Sequence, residues 1–488
     1  MRKLVVGAVA GLLFACNEPA PPPPPPPRVD ASATHSKEMA ITSISPGAVQ
    51  AFQKGRELYE DARDSEAIDQ FMRALSLDPN LALAHAYLAL DTTGARAAHH
   101  IEEAARLAPS LPEAERLAVM RIVAQQRGDD EQRLELTRKL AAAAPTDWHA
   151  QWHLGGLLFD ERQWGEAEAS LNKAIALNPE AGAAHNMLGY TLLFSGKPAE
   201  SVESFKKYVA LKPNDANPHD SLGEALLAAG RYEEAEASFQ QALGIAPHFW
   251  DGWEGVAESR FFRGNWTGGR DALAAARQVA ARPFDKLETD RILAWSYLSE
   301  GKPADALKAA DALEKQGEAQ ETGDWWKASP SLLRAAVLTE TGKYADSLKE
   351  VQTALARSTS LIGVQLNDLR RQALAWRVWD EARLGKAADA AKTLALIEEE
   401  AKKAPSNATL ASEVHFARGA VALAKNDTAG AARELNQCID TDYYCRYQAV
   451  LTLEKIKDPT AAAARATLLS EHRRDSMYVY VWAKLSQK

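Results

Sequence analysis

WHAQWHLGGLLFDERQWGEAEASLNKAIALNPEA (148–181), GAAHNMLGYTLLFSGKPAESVESFKKYVALKPND (182–215) and ANPHDSLGEALLAAGRYEEAEASFQQALGIAPHF (216–249) are three versions of one 34-residue unit. Leu154-Gly155, Leu188-Gly189 and Leu222-Gly223 hold the same place in each, and Leu158, Leu192 and Leu226 follow one helical turn later. Turn signals come next: Gln163-Trp164, Gly196-Lys197-Pro198 and Gly230-Arg231-Tyr232. A second apolar stripe then runs through Ala167/Leu171/Ala174, Ser201/Phe205/Tyr208 and Ala235/Phe239/Ala242, and each unit closes on a proline, Pro179, Pro213 or Pro247. Apolar residues three, four and seven apart share one helix face, so each unit is a pair of helices. The glycine lets the two helices approach closely, and the proline stops the second. One such pair cannot bury both of its apolar faces, so successive pairs must stack into a continuous core.

The period extends outward with drift. Gly55, Ala67, Phe71, Ala74 and Pro79 form a first unit, residues 82–109 a shortened one, and 112–145 a helical stretch with few signature residues. Beyond Trp253, units are marked by Gly301-Lys302-Pro303, Gly342-Lys343-Tyr344, Gly385-Lys386, and Gly419 with Ala431 and Leu435. That makes about eleven pairs. Residues 281–290 and 317–330 lack periodicity and are expected to be irregular joints. The apolar run Met477–Trp482 is expected to cap the end of the stack. The pattern resembles tetratricopeptide repeats at nearly every defining position from Trp148 to Trp250. The resemblance implies an all-α, right-handed α-α superhelical solenoid, with an N-terminal array over 48–283 and a degenerate C-terminal array with capping helices over 284–488. A composition of 46% hydrophobic but only 7% aromatic residues agrees with packed helices.

The N-terminus sets the expected compartment. Arg2 and Lys3 precede an apolar run from Leu4 to Phe14. That run is shorter than the ~20 residues a spanning helix needs, so residues 1–15 are assigned to a secretory signal peptide. Leu13-Phe14-Ala15-Cys16 resembles a bacterial lipobox, which implies lipidation at Cys16; the alternative is an ordinary signal peptide with an incidental cysteine. Residues 16–47 carry seven consecutive prolines, Pro21 to Pro27, and then a polar stretch. Polyproline has no backbone donors and stays extended, so this segment is assigned to a tether. Asn17 after the cysteine resembles the sorting signal for the outer membrane, which gives an expected location in the cell envelope, lipid-anchored and facing the periplasm.

A net charge of −9 offers no electrostatic footprint for nucleic acid or for anionic lipid. No phosphate-binding loop, nucleophile elbow, zinc-protease motif or dinucleotide fingerprint is present. No cofactor, metal site, catalytic residue or small-molecule substrate is therefore assigned, and the chain is not taken for an enzyme. His149 and His153 lie four apart without further ligands, and His85, His185 and His219 recur at one repeat position, as packing residues do. Cys438 and Cys445 flank a turn and could form a disulfide in an oxidising compartment; two unpaired thiols are the alternative.

In the tetratricopeptide fold the first helix of each pair lines a concave groove. The resemblance places His149, Trp152, Phe159, Asn186, Tyr190, Asp220, Glu224, Asp251, Glu254 and Glu258 there, aromatic at the start and acidic at the end. Such a channel favours a cationic or amide-rich extended segment; the bland reading is a solvated acidic helix face. The function expected is a membrane-tethered scaffold for a protein or peptide partner. A pilotin-like assembly factor is the alternative, and a helical-repeat enzyme the third reading.

Overall fold

The structure is a computed structural model that describes residues 29–30, 38–61, 63–92, 94–319, 324–358, 363–404, 407–472 and 475–486. Among these, helices pair as hairpins in chain order: α1 (Pro46–Glu60) with α2 (Asp64–Leu77), α3 (Ala82–Asp91) with α4 (Gly94–Leu107), and α5 (Glu113–Arg127) with α6 (Asp130–Ala143). The repeat block gives α7 (Trp148–Asp160) with α8 (Trp164–Leu177), α9 (Gly182–Phe194) with α10 (Pro198–Leu211), and α11 (Ala216–Ala228) with α12 (Tyr232–Ile245). Then follow α13 (Trp250–Phe262) with α14 (Trp266–Val279), α15 (Pro283–Ser299) with α16 (Pro303–Ala319), and α17 (Asp324–Glu340) with α18 (Tyr344–Arg357). The last pairs are α19 (Gly363–Arg383) with α20 (Ala387–Lys402), α21 (Ala408–Ala424) with α22 (Thr428–Leu435), and α23 (Tyr443–Lys455) with α24 (Ala461–Leu469), before the single helix α25 (Ser476–Ser486). The chain is an all-α solenoid of helical hairpins. The described pairs number twelve, one more than the sequence resolves; α23 and α24 fall in what the periodicity leaves as tail.

The signature glycines sit where helices touch. A Cβ at Gly155 would stand 2.5 Å from Leu171, at Gly189 2.6 Å from Phe205, and at Gly223 2.6 Å from Phe239. The same contact joins Gly55 to Phe71 and Gly419 to Leu435. Most first helices end on a left-handed residue. Gly230, at φ 72°, lets its own N–H reach the Leu227 carbonyl and the Arg231 N–H reach that of Leu226, both at 2.9 Å. Arg162, Asn426 and Lys457 take the same conformation without being glycine.

The prolines have a second role. The carbonyls of Pro79, Pro179 and Pro213 each accept from the Nε2 of the recurring histidine six residues on, His85, His185 and His219, at 3.0–3.1 Å. In the next unit Trp253 takes the histidine's place, donating from Nε1 to Pro247 at 3.2 Å. A side chain near the start of α3, α9, α11 and α13 thus satisfies a carbonyl that the preceding helix leaves open.

By packing, the chain divides into two units, Met1–Ala150 and Gln151–Lys488. The 283/284 division expected from repeat quality instead falls where α14 packs against α15.

In the first unit, α1 to α6 build a core around Phe52, Phe71, Leu81, Leu88 and Ile122, all fully buried. The chain leading into it is docked from Glu38 onward, so residues 38–47 are not part of a free tether. Buried carboxylates hold this segment by its backbone. The Met39 N–H donates to Asp147 at 2.8 Å, that of Thr42 to Glu115 at 3.1 Å, and that of Ile44 to Asp78 at 3.0 Å. The Ser43 hydroxyl adds a 2.6 Å bond to Asp78. A two-residue antiparallel ladder pairs β1 (Val29–Asp30) with β2 (Thr42–Ser43). Cys16 and the proline run lie outside the described residues.

In the second unit, each first helix from α9 to α19 packs on the next first helix, while neighbouring second helices make no comparable contact, so the first helices line the inner face. Two expected joints are largely helical. Pro283 opens α15 at its first position, where a missing N–H costs nothing. Pro330 lies inside α17 and cannot serve the Trp326 carbonyl; that oxygen points at Gly317, where a Cβ would come within 3.0 Å. Helix α25 closes the last pair and also reaches back over the inner face to α15 and α13. Tyr478 and Tyr480 are wholly buried there. Phe262 meets Trp482 edge to face at 5.1 Å, and Trp295 meets Tyr480 at 5.6 Å.

Candidate functional site

His149 belongs to the first unit and is only 6% exposed. Its Nδ1 lies 3.1 Å from Asp147 and its Nε2 3.0 Å from Glu60 on α1. Burial and the Arg56 charge pull its pKa down, but the two carboxylates raise it above the ordinary histidine value. Burial in turn opposes the Asp147 charge, yet hydrogen bonds from His149 and Met39 hold that carboxyl at about 2. Arg56, paired with Glu38 at 2.8 Å, completes a clasp between the lead segment, α1 and the start of α7. His149 thereby joins segments distant in the chain.

The other nine groove positions lie in the second unit, on first helices. Asp220 and Glu258 are only 5% and 4% exposed. Trp152, Phe159, Asn186, Tyr190, Glu224, Asp251 and Glu254 are half-buried. Asn186 and Tyr190 converge on Ser221, which the sequence reading passes over: the Tyr190 hydroxyl is 3.1 Å from Ser221 Oγ, which approaches Asn186 Oδ1 at 3.5 Å. Trp152 packs beside the Leu171, Leu188 and Leu192 cluster. Phe159 turns toward the hairpin edge, where it meets Trp164 at 5.3 Å and Phe194 at 5.6 Å; Phe194 is 47% exposed. Glu258 shares a small crevice with Trp295 and Val479 of α25, so the C-terminal helix covers the end of the expected acidic run. Glu254 also lies in the field of Arg291. The acidic character of the groove is therefore partly enclosed and partly countered.

A second inner-face feature lies further along. A cavity of about 250 Å³ opens among α15, α17, α19, α21 and α23, with Leu313 of α16 and Met477 of α25 completing its lining. One wall is aromatic: Trp376 and Phe416 flank Tyr444 at 4.9 and 6.0 Å, and Trp379 stacks behind Phe416 at 5.2 Å. Trp295, Leu332, Leu333 and Ala336 form the opposite side. Tyr444 is fixed by a 2.5 Å bond from its hydroxyl to Glu340, whose other oxygen accepts from Tyr480. Burial, then the Glu340 charge, pushes the Tyr444 hydroxyl far above its ordinary value, so it remains a donor.

Asp442, at the rim, caps α23 through the Cys445 N–H at 3.1 Å and accepts from Ser412 at 3.0 Å. Cys438 and Cys445 are joined in a disulfide that closes the loop carrying Asp442. These three residues also form the one cluster of metal-ligand atoms among the described residues, but its sulfurs are bonded to each other. No helix among the described residues is long and apolar enough to cross a membrane.

Family models described as tetratricopeptide repeat match residues 154–216 and 216–249. No curated protein matches the chain. Among solved structures, a tetratricopeptide repeat protein from Parabacteroides merdae is 15% identical, covering 54% of this chain and 99% of its own, with a TM-score of 0.41. A MamA structure from Desulfovibrio magneticus is 17% identical, covering 35% and 96%, with a TM-score of 0.33. YrrB, described as a TPR protein with an unusual peptide-binding site, is 16% identical, covering 45% and 96%, with a TM-score of 0.30. Residues 154–249 are tetratricopeptide repeats, set within a longer all-α solenoid of helical hairpins.

Proposed function

We propose that the protein is a membrane-tethered interaction scaffold that holds an extended segment of a partner protein along the inner face of its repeats. The observation that carries this reading is the row of half-buried polar and aromatic side chains on successive first helices, Trp152, Asn186, Tyr190, Glu224, Asp251 and Glu254. Such side chains combine apolar contact with hydrogen bonds to an extended backbone. The remaining carboxylates favour a partner segment with positive charge. The tether is the lipidated Cys16 followed by the proline run, which would hold the solenoid off the bilayer.

Two variants test the two halves. Cys16→Ser should release the protein from the detergent phase into the aqueous one; unchanged partitioning would remove the anchor. Glu224→Lys with Glu254→Lys should abolish capture of the envelope partner without lowering the melting temperature. Undiminished capture would place the binding surface elsewhere.

A further inference from the structure

The cavity among α15, α17, α19, α21 and α23 has features that a peptide groove does not need. We infer that it is a binding site for a small uncharged molecule with a one- or two-ring or branched aliphatic body and a single hydrogen-bonding atom. This goes beyond the scaffold reading and does not rest on it.

Size comes first. A volume of about 250 Å³ is many times the ~30 Å³ share of a water molecule, and it lies just under the ~300 Å³ at which drug-sized sites begin. Trp295, Trp376, Phe416, Tyr444 and the leucines of α17 present an apolar lining that gives water few partners.

Charge comes second. Each charged group in the wall is already engaged within the protein. Arg291 pairs with Glu288, Glu413 lies 3.4 Å from Arg371, and Asp442 accepts from Cys445 and Ser412 and lies in the field of Arg446. An ion entering the cavity would lose its hydration without finding an uncompensated counter-charge.

The third observation marks where a polar atom belongs. Ser329 of α17 lines the cavity, is 8% exposed, and its buried hydroxyl has no hydrogen-bond partner. Buried hydroxyls are almost always bonded, and one left open beside a cavity is a place for a ligand atom. Tyr444 cannot take that role, because its hydroxyl is committed to Glu340.

The test uses the full chain and one ring system in four forms: 2-naphthol, naphthalene, 2-naphthalenesulfonate and 2-naphthylmethylammonium, each titrated calorimetrically. The expected result is saturable 1:1 binding of 2-naphthol, at least tenfold tighter than either ion. Ala336→Phe, which fills the cavity, should abolish it. Ser329→Ala should weaken 2-naphthol about tenfold while leaving naphthalene unchanged, which separates loss of one bond from loss of the fold. Binding that survives Ala336→Phe, or an ion binding as tightly as the neutral ring, would overturn the inference. No saturable binding by any of the four would also overturn it. If an envelope partner then protected Trp376 from collisional quenching, the cavity would be assigned to an apolar side chain of that partner, and the scaffold reading would stand.

Discussion

Phe239 is the side chain on which the stacking of neighbouring pairs most visibly depends. Its ring is fully buried and lies between two helices that both lack a Cβ at the contact: one added at Gly223 would come within 2.6 Å of the ring, and one at Gly255 within 2.5 Å. Gly223 belongs to its own hairpin and Gly255 to the next, so a single ring joins both. Phe239→Ala leaves a void that neither glycine can fill, since only stiff helix backbone faces it. A void of about 100 Å³ at about 24 cal/mol per Å³ contributes about 2.4 kcal/mol, and the lost transfer of the ring from water raises the cost to about 4 kcal/mol. The converse substitution, Gly255→Ala, overpacks the site by one methyl group at a cost of about 1–3 kcal/mol. Because both act on one contact, Phe239→Leu combined with Gly255→Ala should cost less than the sum of the two single changes. Urea unfolding followed by circular dichroism, on Phe239→Ala and on the four proteins of the cycle, measures the cost and the coupling. A Phe239→Ala cost below about 1 kcal/mol would refute the account, as would strict additivity.

Two further outcomes follow from the C-terminal half. The Cys438–Cys445 bond constrains a short loop in the unfolded chain, so Cys438→Ser with Cys445→Ser, which frees that loop, should cost about 2.5 kcal/mol; equal stability with and without reductant would contradict this. Asp380 is wholly buried, accepts from Thr339 at 2.8 Å, and is pushed up to about 7 by burial, with the Glu340 and Glu381 charges adding to the rise. The folded state therefore keeps a proton that the unfolded chain releases above about pH 4. Stability attributable to this group falls as pH rises from about 4 to 7, by a total on the order of 4 kcal/mol. Asp380→Asn should lose that slope and gain on the native protein as pH rises; parallel stability profiles from pH 4 to 8 would rule out the raised carboxyl.

The repeat architecture was legible because its determinants are local. Glycine, proline and an apolar stripe at fixed spacing specify a hairpin, and three copies in a row make the period plain. What escaped the sequence depends on contacts far apart in the chain. The twelfth pair was missed because its turn uses Lys457 in the left-handed conformation and α24 is a short alanine-rich helix without signature residues. Residues 38–47 read as polar linker, yet their backbone donors meet the carboxylates of Asp78, Glu115 and Asp147. His149 fits a groove position by repeat arithmetic, but Glu60, 89 positions earlier, claims its imidazole. The cavity draws on seven helices, from Arg291 to Met477, so no local pattern announces it. The only sign was a concentration of tryptophan on first helices that lack the signature glycine, at Trp295 and Trp376.

The central claim, that partners are held on the inner face of the repeats, is tested most directly by site-specific photocrosslinking in whole cells. A photoreactive amino acid at Tyr190 on α9 reports the inner face, and one at Lys206, exposed on the second helix α10, reports the outer. The account predicts a discrete crosslinked partner from position 190 and none from position 206. Adducts from position 206 alone would contradict it.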